Sequence, residues 1–242
     1  MVPSTHTDCR RRSLPATYPA AISHRAAGDP LILPSLYSAV RAGFQDPISV
    51  CLGLGLREIH YDVMDGRFVP ATGLALDALP AILARAAGLT ADIHLMVDEP
   101  MEWIADAVAS GARAVSFHPE ATETPRAVIA HLRRSAVSVG IALSPDLSIA
   151  QALPLIDEAD YALAMLIVPG LTGTPIRADL LAKLAALRAV RPDLRIVADG
   201  GVAPDTIAQV RAAGADAMVV GGALFAADPE HAYLALTRRA IG

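Results

Sequence analysis

The stretch His60-Tyr61-Asp62-Val63-Met64-Asp65-Gly66 decides the fold of this chain, because it places polar side chains in an otherwise apolar strand. Alternate side chains of a strand point to the same face, so His60, Asp62 and Met64 face one way together. An ionised carboxylate on a buried face is costly unless a partner compensates its charge. The stretch therefore predicts a strand whose polar face meets a cation, a proton path or both.

Short apolar runs alternate with longer amphipathic ones from residue 31 to the C-terminus. The unusual polar residues fall where the strands end, at the rim where (β/α)₈ barrels build their sites. We therefore expect an α/β fold, a (β/α)₈ TIM barrel, rather than an open doubly wound sheet. The predicted strands are 31–35, 57–64, 91–96, 113–117, 137–143, 161–168, 194–198 and 217–220. The predicted helices are 38–54 with a break near Pro47, 76–87, 101–110, 125–134, 148–155, 176–190, 204–213 and 231–241.

The composition of the chain excludes several classes of protein. With 53% hydrophobic and 19% charged residues, the chain can bury a large core, which excludes disorder for most of it. A net charge of -5 with scattered basic residues argues against nucleic acid as a partner. No apolar run is long enough for a membrane span or a signal peptide, and Cys9 and Cys51 form no disulfide framework. We expect a cytoplasmic protein that acts on a small molecule.

The first thirty residues differ from the rest in composition. They contain four prolines and the run Arg10-Arg11-Arg12, and they show no sustained periodicity. We expect residues 1–30 to be a flexible leader, with an organellar transit peptide as a minor alternative. Residues 31–242 are expected to form a single catalytic barrel domain.

Four side chains at the predicted strand ends form a candidate metal site. His60 and Asp62 share a face of the second strand, His94 lies on the third, and Asp199 ends the seventh. Two imidazoles and two carboxylates suit one divalent ion, Zn²⁺, Fe²⁺, Mn²⁺ or Co²⁺, without choosing among them. Spacing alone leaves open that the histidines are structural.

Glycines after the last three strands form a candidate phosphate site. Gly200-Gly201 and Gly221-Gly222 follow the seventh and eighth strands, where many barrels hold a phosphate. A helix starting at Ala223 would add its N-terminal dipole. Pro169-Gly170 and Gly173 after the sixth strand support this interpretation, although Gly221-Gly222 alone could be a tight turn.

Five motifs resemble those of the ribulose-phosphate 3-epimerase family, in order along the chain. They are the segment 60–70 (HYDVMDGRFVP), 92–97 (DIHLMV), 116–121 (SFHPEA), Met165 with Pro169-Gly170, and 199–202 (DGGV). The resemblance runs from about Leu31 to the C-terminus. It implies interconversion of ribulose 5-phosphate and xylulose 5-phosphate. It also implies a homo-oligomer, because relatives are commonly dimers or hexamers.

The resemblance also implies roles for individual residues. Asp62 and Asp199 would be the two acid/base catalysts, and His60, Asp62, His94 and Asp199 would bind the metal. One carboxylate would remove the C3 proton of the ketose phosphate and the other would return a proton to the opposite face of the enediolate. His118 and Glu120 are expected to support the site rather than react. The predicted substrate contacts are Ser35, Met64, His94, Met96 and Met165, with the glycines Gly170, Gly173, Gly200, Gly201, Gly221 and Gly222.

The chain differs from the family pattern in the loops that would cover the substrate. Ala71-Thr72-Gly73 and the segment 168–174 (VPGLTGT) are altered, and Gly222 stands where a serine is common. These differences leave two alternatives to a pentulose-phosphate epimerase. One is a 3-epimerase of another ketose phosphate, such as allulose 6-phosphate, or of a specialised sugar, and the other is a non-catalytic sugar-phosphate-binding barrel.

Overall fold

The structure is a computed structural model that describes residues 31–241, so the leader predicted for residues 1–30 lies outside the described residues. All eight predicted strands are present and parallel, and they run around the sheet in the order β1-β8-β7-β6-β5-β4-β3-β2. The (β/α)₈ barrel is therefore confirmed. The strands are β1 (Leu31–Pro34), β2 (Glu58–Met64), β3 (Thr90–Met96), β4 (Ala114–Phe117), β5 (Ser138–Leu143), β6 (Tyr161–Met165), β7 (Arg195–Asp199) and β8 (Ala217–Val220).

Helices follow the strands and cover the outside of the barrel. No helix in residues 31–241 is both long enough and apolar enough to cross a membrane. The helices are α1 (Leu36–Arg41), α2 (Pro47–Gly53), α3 (Leu79–Leu83), α4 (Ile104–Ala109), α5 (Pro125–Arg134), α6 (Ile149–Ile156), α7 (Ala178–Val190), α8 (Ile207–Ala212) and α9 (Pro229–Ile241).

The alternation of side chains divides the core into two parts. Outward residues such as Ile59, Tyr61 and Val63 of β2 join the large apolar layer between strands and helices. Inward residues such as Leu33 and Leu163 form a smaller cluster inside the barrel. Because Ile59, Tyr61 and Val63 point outward, the residues between them point into the barrel. This alternation places the side chains of His60 and Asp62 inside the barrel.

The first and second strands meet at a narrow seam. β1 pairs with β8 over its whole length, whereas a single bridge between Ser35 and His60 joins it to the β2 side. The Ser35 hydroxyl caps α1 by accepting from the Ser38 N–H at 3.2 Å, and it donates to Asp62 Oδ2 at 3.1 Å. One serine therefore closes the barrel and contacts the polar face of β2.

Several predicted boundaries differ from the structure. The helix predicted at 38–54 is divided as expected, with α2 starting at Pro47. The strand predicted at 161–168 ends at Met165, because the chain bends while Leu166 and Ile167 stay buried. The helix predicted at 76–87 is a short 3₁₀ turn followed by α3, which ends at Leu83.

Candidate active site

Four side chains converge at the C-terminal rim of the barrel, and they are the four predicted to form a metal site. His60 Nε2 lies 3.1 Å from Asp62 Oδ1 and 3.9 Å from Asp199 Oδ2. His94 Nδ1 lies 3.4 Å and 3.6 Å from the same two oxygens. One potential ligand atom from each residue lies within 4.8 Å of all the others. We call His60, Asp62, His94 and Asp199 the rim cluster.

Burial and neighbouring charges have opposite effects on the pKa values of the side chains in the rim cluster. Burial disfavours a charged His60 imidazole, yet the Asp62 carboxylate, with Asp92 and Asp199, raises the pKa of His60 well above its ordinary value. The pKa of His94 is also raised, since Asp199 and Asp62 outweigh its burial. Burial would raise the pKa of Asp62, but His60 and His94 lower it. The cluster therefore favours positive charge at its centre.

The donor set fits a divalent cation. His60 Nδ1, His60 Nε2 and His94 Nδ1 are buried without a hydrogen-bond partner of acceptable geometry, although carboxylate oxygens lie close by. Ligand atoms lie about 2.1 Å from a bound ion, and the four candidate atoms, within 4.8 Å of one another, are close enough together to share one. An ion bound to His60 Nε2 and His94 Nδ1 would satisfy two of the three nitrogens.

The ring nitrogens of His60 and His94 that face away from the rim cluster have different neighbours. His60 Nδ1 faces Asp92 Oδ2 at 3.6 Å, and Asp92 Oδ1 accepts a hydrogen bond from the Tyr161 hydroxyl at 2.5 Å. His94 Nε2 contacts Nε2 of a second buried histidine, His118, at 2.9 Å. The sequence reasoning gave Asp92 no role, although its parity with His94 on the same strand could have indicated one.

A second carboxylate on the β2 loop fixes the two loops beside the cluster. Asp65 Oδ1 accepts from the backbone N–H groups of Arg67 at 2.8 Å and Phe68 at 3.0 Å. Its Oδ2 accepts from the Asp98 N–H at 2.8 Å, which links the loops after β2 and β3. Burial alone would raise the pKa of Asp65, but the backbone donors, with that of Asp98 first, together outweigh it and lower the pKa. Asp65 is thus a structural carboxylate beside the cluster.

A cavity of about 670 Å³ opens above the rim cluster. Asp62 and Asp199 reach its wall, whereas His60 and His94 are fully buried beneath it. All the other predicted substrate contacts line this cavity. These are Ser35, Met64, Met96, Met165, Gly170, Gly173, Gly200, Gly201, Gly221 and Gly222.

The predicted phosphate glycines lie together on one side of this cavity. Gly200 and Gly201 both have positive φ values, 103° and 68°, which side chains rarely adopt. The helix expected at Ala223 is absent: residues 221–225 form a turn in which the Leu224 N–H donates to the Gly221 carbonyl at 2.9 Å. Backbone amides are therefore available on this side, without a helix that starts at Ala223.

The sequence reasoning missed a cation beside these glycines. α1 lies so close to β8 that a Cβ on Gly221 would be 2.4 Å from Ser38 Oγ. Arg41 lies one turn further on the same helix face and lines the cavity with Gly222. Within residues 31–241, Arg41 is the only arginine or lysine on the cavity lining, which also carries Asp205. The spacing of Ser38 and Arg41 was the available signal.

A family model and individual relatives, compared by sequence, point to the same protein family. Residues 31–225 match the model of the ribulose-phosphate 3 epimerase family. Ribulose-phosphate 3-epimerase of Mycobacterium tuberculosis is 34% identical over 221 residues, covering 90% of this chain and 95% of that protein. The enzyme of Mycobacterium leprae is 36% identical over 216 residues, covering 87% and 95%.

Solved structures agree in fold. A 3-keto-L-gulonate-6-phosphate decarboxylase from Vibrio cholerae superimposes with a TM-score of 0.67 at 16% identity, covering 88% of this chain and 98% of that one. A 3-hexulose-6-phosphate synthase gives a TM-score of 0.59 at 19% identity, covering 87% and 97%. At these identities the likeness concerns the barrel alone.

Proposed function

The chain belongs to the ribulose-phosphate 3-epimerase family, and we propose on this basis that it interconverts D-ribulose 5-phosphate and D-xylulose 5-phosphate. The observation that carries the proposal is the rim cluster. It brings two carboxylates to the wall of one cavity and buries two imidazoles beneath them. A sugar-phosphate-binding barrel without catalysis would have no use for two carboxylates on a shared cation.

We propose that His60, Asp62, His94 and Asp199 hold one divalent metal ion. The donor set suits Zn²⁺, Fe²⁺, Mn²⁺ or Co²⁺. When bound, such an ion supplies Lewis acidity that stabilises negative charge developing on oxygen. His60 and His94 would offer neutral ring nitrogens to it, and their surroundings exclude water because both side chains are fully buried.

The two aspartates are the proposed acid/base pair. They project from β2 and β7, which are separated by β1 and β8 around the barrel. One carboxylate takes the proton from C3 of the sugar, which leaves an enediolate, and the protonated partner delivers its own proton to the opposite face of C3. The inverted centre is thus produced without any other co-reactant. Proton exchange with solvent then resets the pair, so that the first carboxylate is again unprotonated before the next turnover in the same direction.

The remaining cavity residues are proposed to hold the substrate. Met64, Met96 and Met165 give the reacting end a soft apolar lining. The Ser35 hydroxyl donates to Asp62 Oδ2 at 3.1 Å, so it orients that carboxylate within reach of the substrate. Backbone N–H groups near Gly200, Gly201, Gly221 and Gly222 are the proposed partners of the phosphate.

The proposal is tested by isotope exchange at C3. Metal-loaded protein in deuterium oxide is expected to wash deuterium into C3 of ribulose 5-phosphate and to form xylulose 5-phosphate, as followed by proton NMR. Removal of metal with a chelator should abolish both signals, and addition of Mn²⁺, Zn²⁺, Fe²⁺ or Co²⁺ should restore them. An absence of exchange from metal-loaded protein would refute the proposed function.

A panel of ketose phosphates identifies the substrate. The loops at 71–73 and 168–174 differ from the family pattern, and Gly170, Leu171 and Gly173 line the cavity. We expect the highest kcat/KM for ribulose 5-phosphate. A higher value for allulose 6-phosphate or another ketose phosphate would keep the mechanism and reassign the substrate.

Arg41→Ala is expected to raise the KM for the sugar phosphate about 3- to 10-fold with little change in kcat. The reason is that Arg41 is exposed, so its charge-assisted contact with a phosphate is partly screened by solvent. Steady-state kinetics at low and high salt measure the effect, which should shrink as ionic strength rises. Arg126→Ala, which removes an exposed arginine of α5 away from the cavity, is the control. An unchanged KM would contradict the assignment.

We also propose that the protein works as a cytoplasmic homo-oligomer and that residues 31–242 form one catalytic domain. The proposal for the compartment rests on the sequence, whose two cysteines, Cys9 and Cys51, form no disulfide framework. The oligomer rests on the family resemblance.

A further inference from the structure

A contact between two buried imidazoles, His94 and His118, indicates how one proposed metal ligand is held in its orientation. His94 Nε2 and His118 Nε2 lie 2.9 Å apart, and both side chains are fully buried. At this distance one nitrogen donates and the other accepts, so one proton lies between them. The opposite nitrogen of His94, Nδ1, faces Asp62 and Asp199.

The chemistry of a ligand decides which ring donates. A histidine that binds a metal through Nδ1 carries its proton on Nε2. His94 would then donate to His118, and His118 would accept on Nε2 and carry its own proton on Nδ1. That second proton needs an acceptor at the far side of the His118 ring.

The structure provides acceptors at that position. His118 Nδ1 lies 2.7 Å from Ser144 Oγ and 3.3 Å from Glu120 Oε1. Lys183 Nζ donates to the Ser144 carbonyl at 2.7 Å, which fixes the loop after β5. The Phe68 ring packs on the His118 ring with centroids 4.8 Å apart. The His118 ring is thus held by Phe68 on one face and by polar partners at both of its nitrogens.

We propose that His118 is a positioning residue: by accepting from His94 Nε2–H, with Glu120 and Ser144 behind it, it orients the His94 ring so that an unprotonated Nδ1 would face a cation held beside Asp62 and Asp199. This inference rests on the proposed function, because it concerns the same metal site. With it, each of the two histidines of the site has a residue that supports it from behind. His60 is backed by Asp92, and His94 is backed by a neutral imidazole whose outer side ends at Glu120.

Metal affinity tests the role, measured by competition with a chelator for Mn²⁺ and Zn²⁺. His118→Leu keeps the site apolar but removes the acceptor, and we expect it to weaken metal binding about 10- to 100-fold. His118→Gln restores an oxygen acceptor near the Nε2 position and should recover most of the affinity. His131→Leu makes the same change on α5, away from the rim cluster, and should leave affinity unchanged.

A second readout separates positioning from packing. In metal-loaded wild-type protein, long-range ¹H–¹⁵N correlation spectra should show the proton of His94 on Nε2. Metal bound at Nδ1 keeps the His94 proton on Nε2 in the His118→Leu variant too, but without its acceptor that proton is expected to lose its downfield shift and to exchange faster with solvent. If His118→Leu does not fold, as judged by thermal unfolding, Glu120→Gln serves instead, with a smaller expected loss of about 3- to 10-fold in affinity.

The outcomes distinguish this inference from the proposed function. Wild-type affinity in His118→Leu, or equal weakening in folded Leu and Gln variants, would overturn the role of His118 while leaving the epimerase proposal in place. A wild-type protein that binds metal but exchanges no C3 proton would refute the epimerase, and the affinity comparison would still decide the role of His118. Recovery of metal affinity in His118→Gln, with a downfield Nε2–H signal for His94, supports the proposal.

Discussion

Replacing Asp62 or Asp199 by asparagine is expected to lower the rate of epimerisation by about 10²- to 10⁴-fold, the range contributed by a positioned acid or base. Both carboxylates reach the cavity wall next to buried imidazoles. Asparagine keeps the shape of the side chain but neither takes up nor delivers a proton near neutral pH. Coupled assays of ketose-phosphate interconversion at saturating metal measure the loss.

The two variants should differ in the substrate whose proton they still exchange. If the carboxylates act on opposite faces of C3, each variant retains one base and can exchange the C3 proton of only one epimer. The epimer that Asp62→Asn still exchanges is the one that Asp199→Asn does not. Metal content must be measured in both, because the same residues are proposed ligands. Asp106→Asn, an exposed change on α4, is the control. Exchange of both epimers by both variants would contradict a two-base mechanism.

Gly73→Ala is expected to lower the free energy of unfolding by about 1–3 kcal/mol, the usual range for overpacking. A Cβ at Gly73 would lie 2.4 Å from the Met64 N, 2.7 Å from the Asp62 carbonyl oxygen and 3.0 Å from the Val63 carbonyl carbon. All three are backbone atoms of β2, so the strand or the loop must move. A shift of about 1 Å at Asp62 could lower activity about 10²-fold.

Denaturant unfolding and C3 exchange together check the Gly73 prediction. The Gly73 N–H donates to the Met64 carbonyl at 3.1 Å, and the Leu74 N–H donates to the Asp62 carbonyl at 2.8 Å, so displacement of the loop acts directly on the polar strand. Gly53→Ala is the matched control, because a Cβ there meets nothing within 4 Å and its φ is not positive. A Gly73→Ala protein with wild-type stability and activity would show that the loop relaxes at no cost.

Much of the barrel and the rim cluster could be predicted from sequence because both follow from periodicity. Residues two apart on a strand share a face, and parallel strands end at the same rim. This logic brought His60, Asp62, His94 and Asp199 together before any coordinates. It failed at the end of β6, because apolar residues continue through Leu166 and Ile167 where the chain has already left the strand. Ile167 instead fills the space that a Cβ on Gly200 would occupy.

Contacts between distant strands were beyond the sequence pattern. The hydrogen bond from Tyr161 to Asp92 crosses the barrel interior from β6 to β3, and it depends on which inward residues share a level. The meeting of His94 and His118 needs the orientation of both rings, which no spacing specifies. Arg41 was overlooked because an exposed arginine on a short helix usually has no specific partner.

The seam between the first and second strands links activity to the order of folding. Among the strands of residues 31–241, β1 is synthesised first, yet the strand it pairs with over its whole length is β8, the last of them. Ser35, which follows β1, contacts both His60 and Asp62, so their final arrangement needs β1 in place, and β1 is held by its pairing with β8. A nascent or truncated chain without β8 should therefore have no organised catalytic centre, even with all of β2 to β7 present. Epimerase activity would then report completion of the last and most distant contact in the fold.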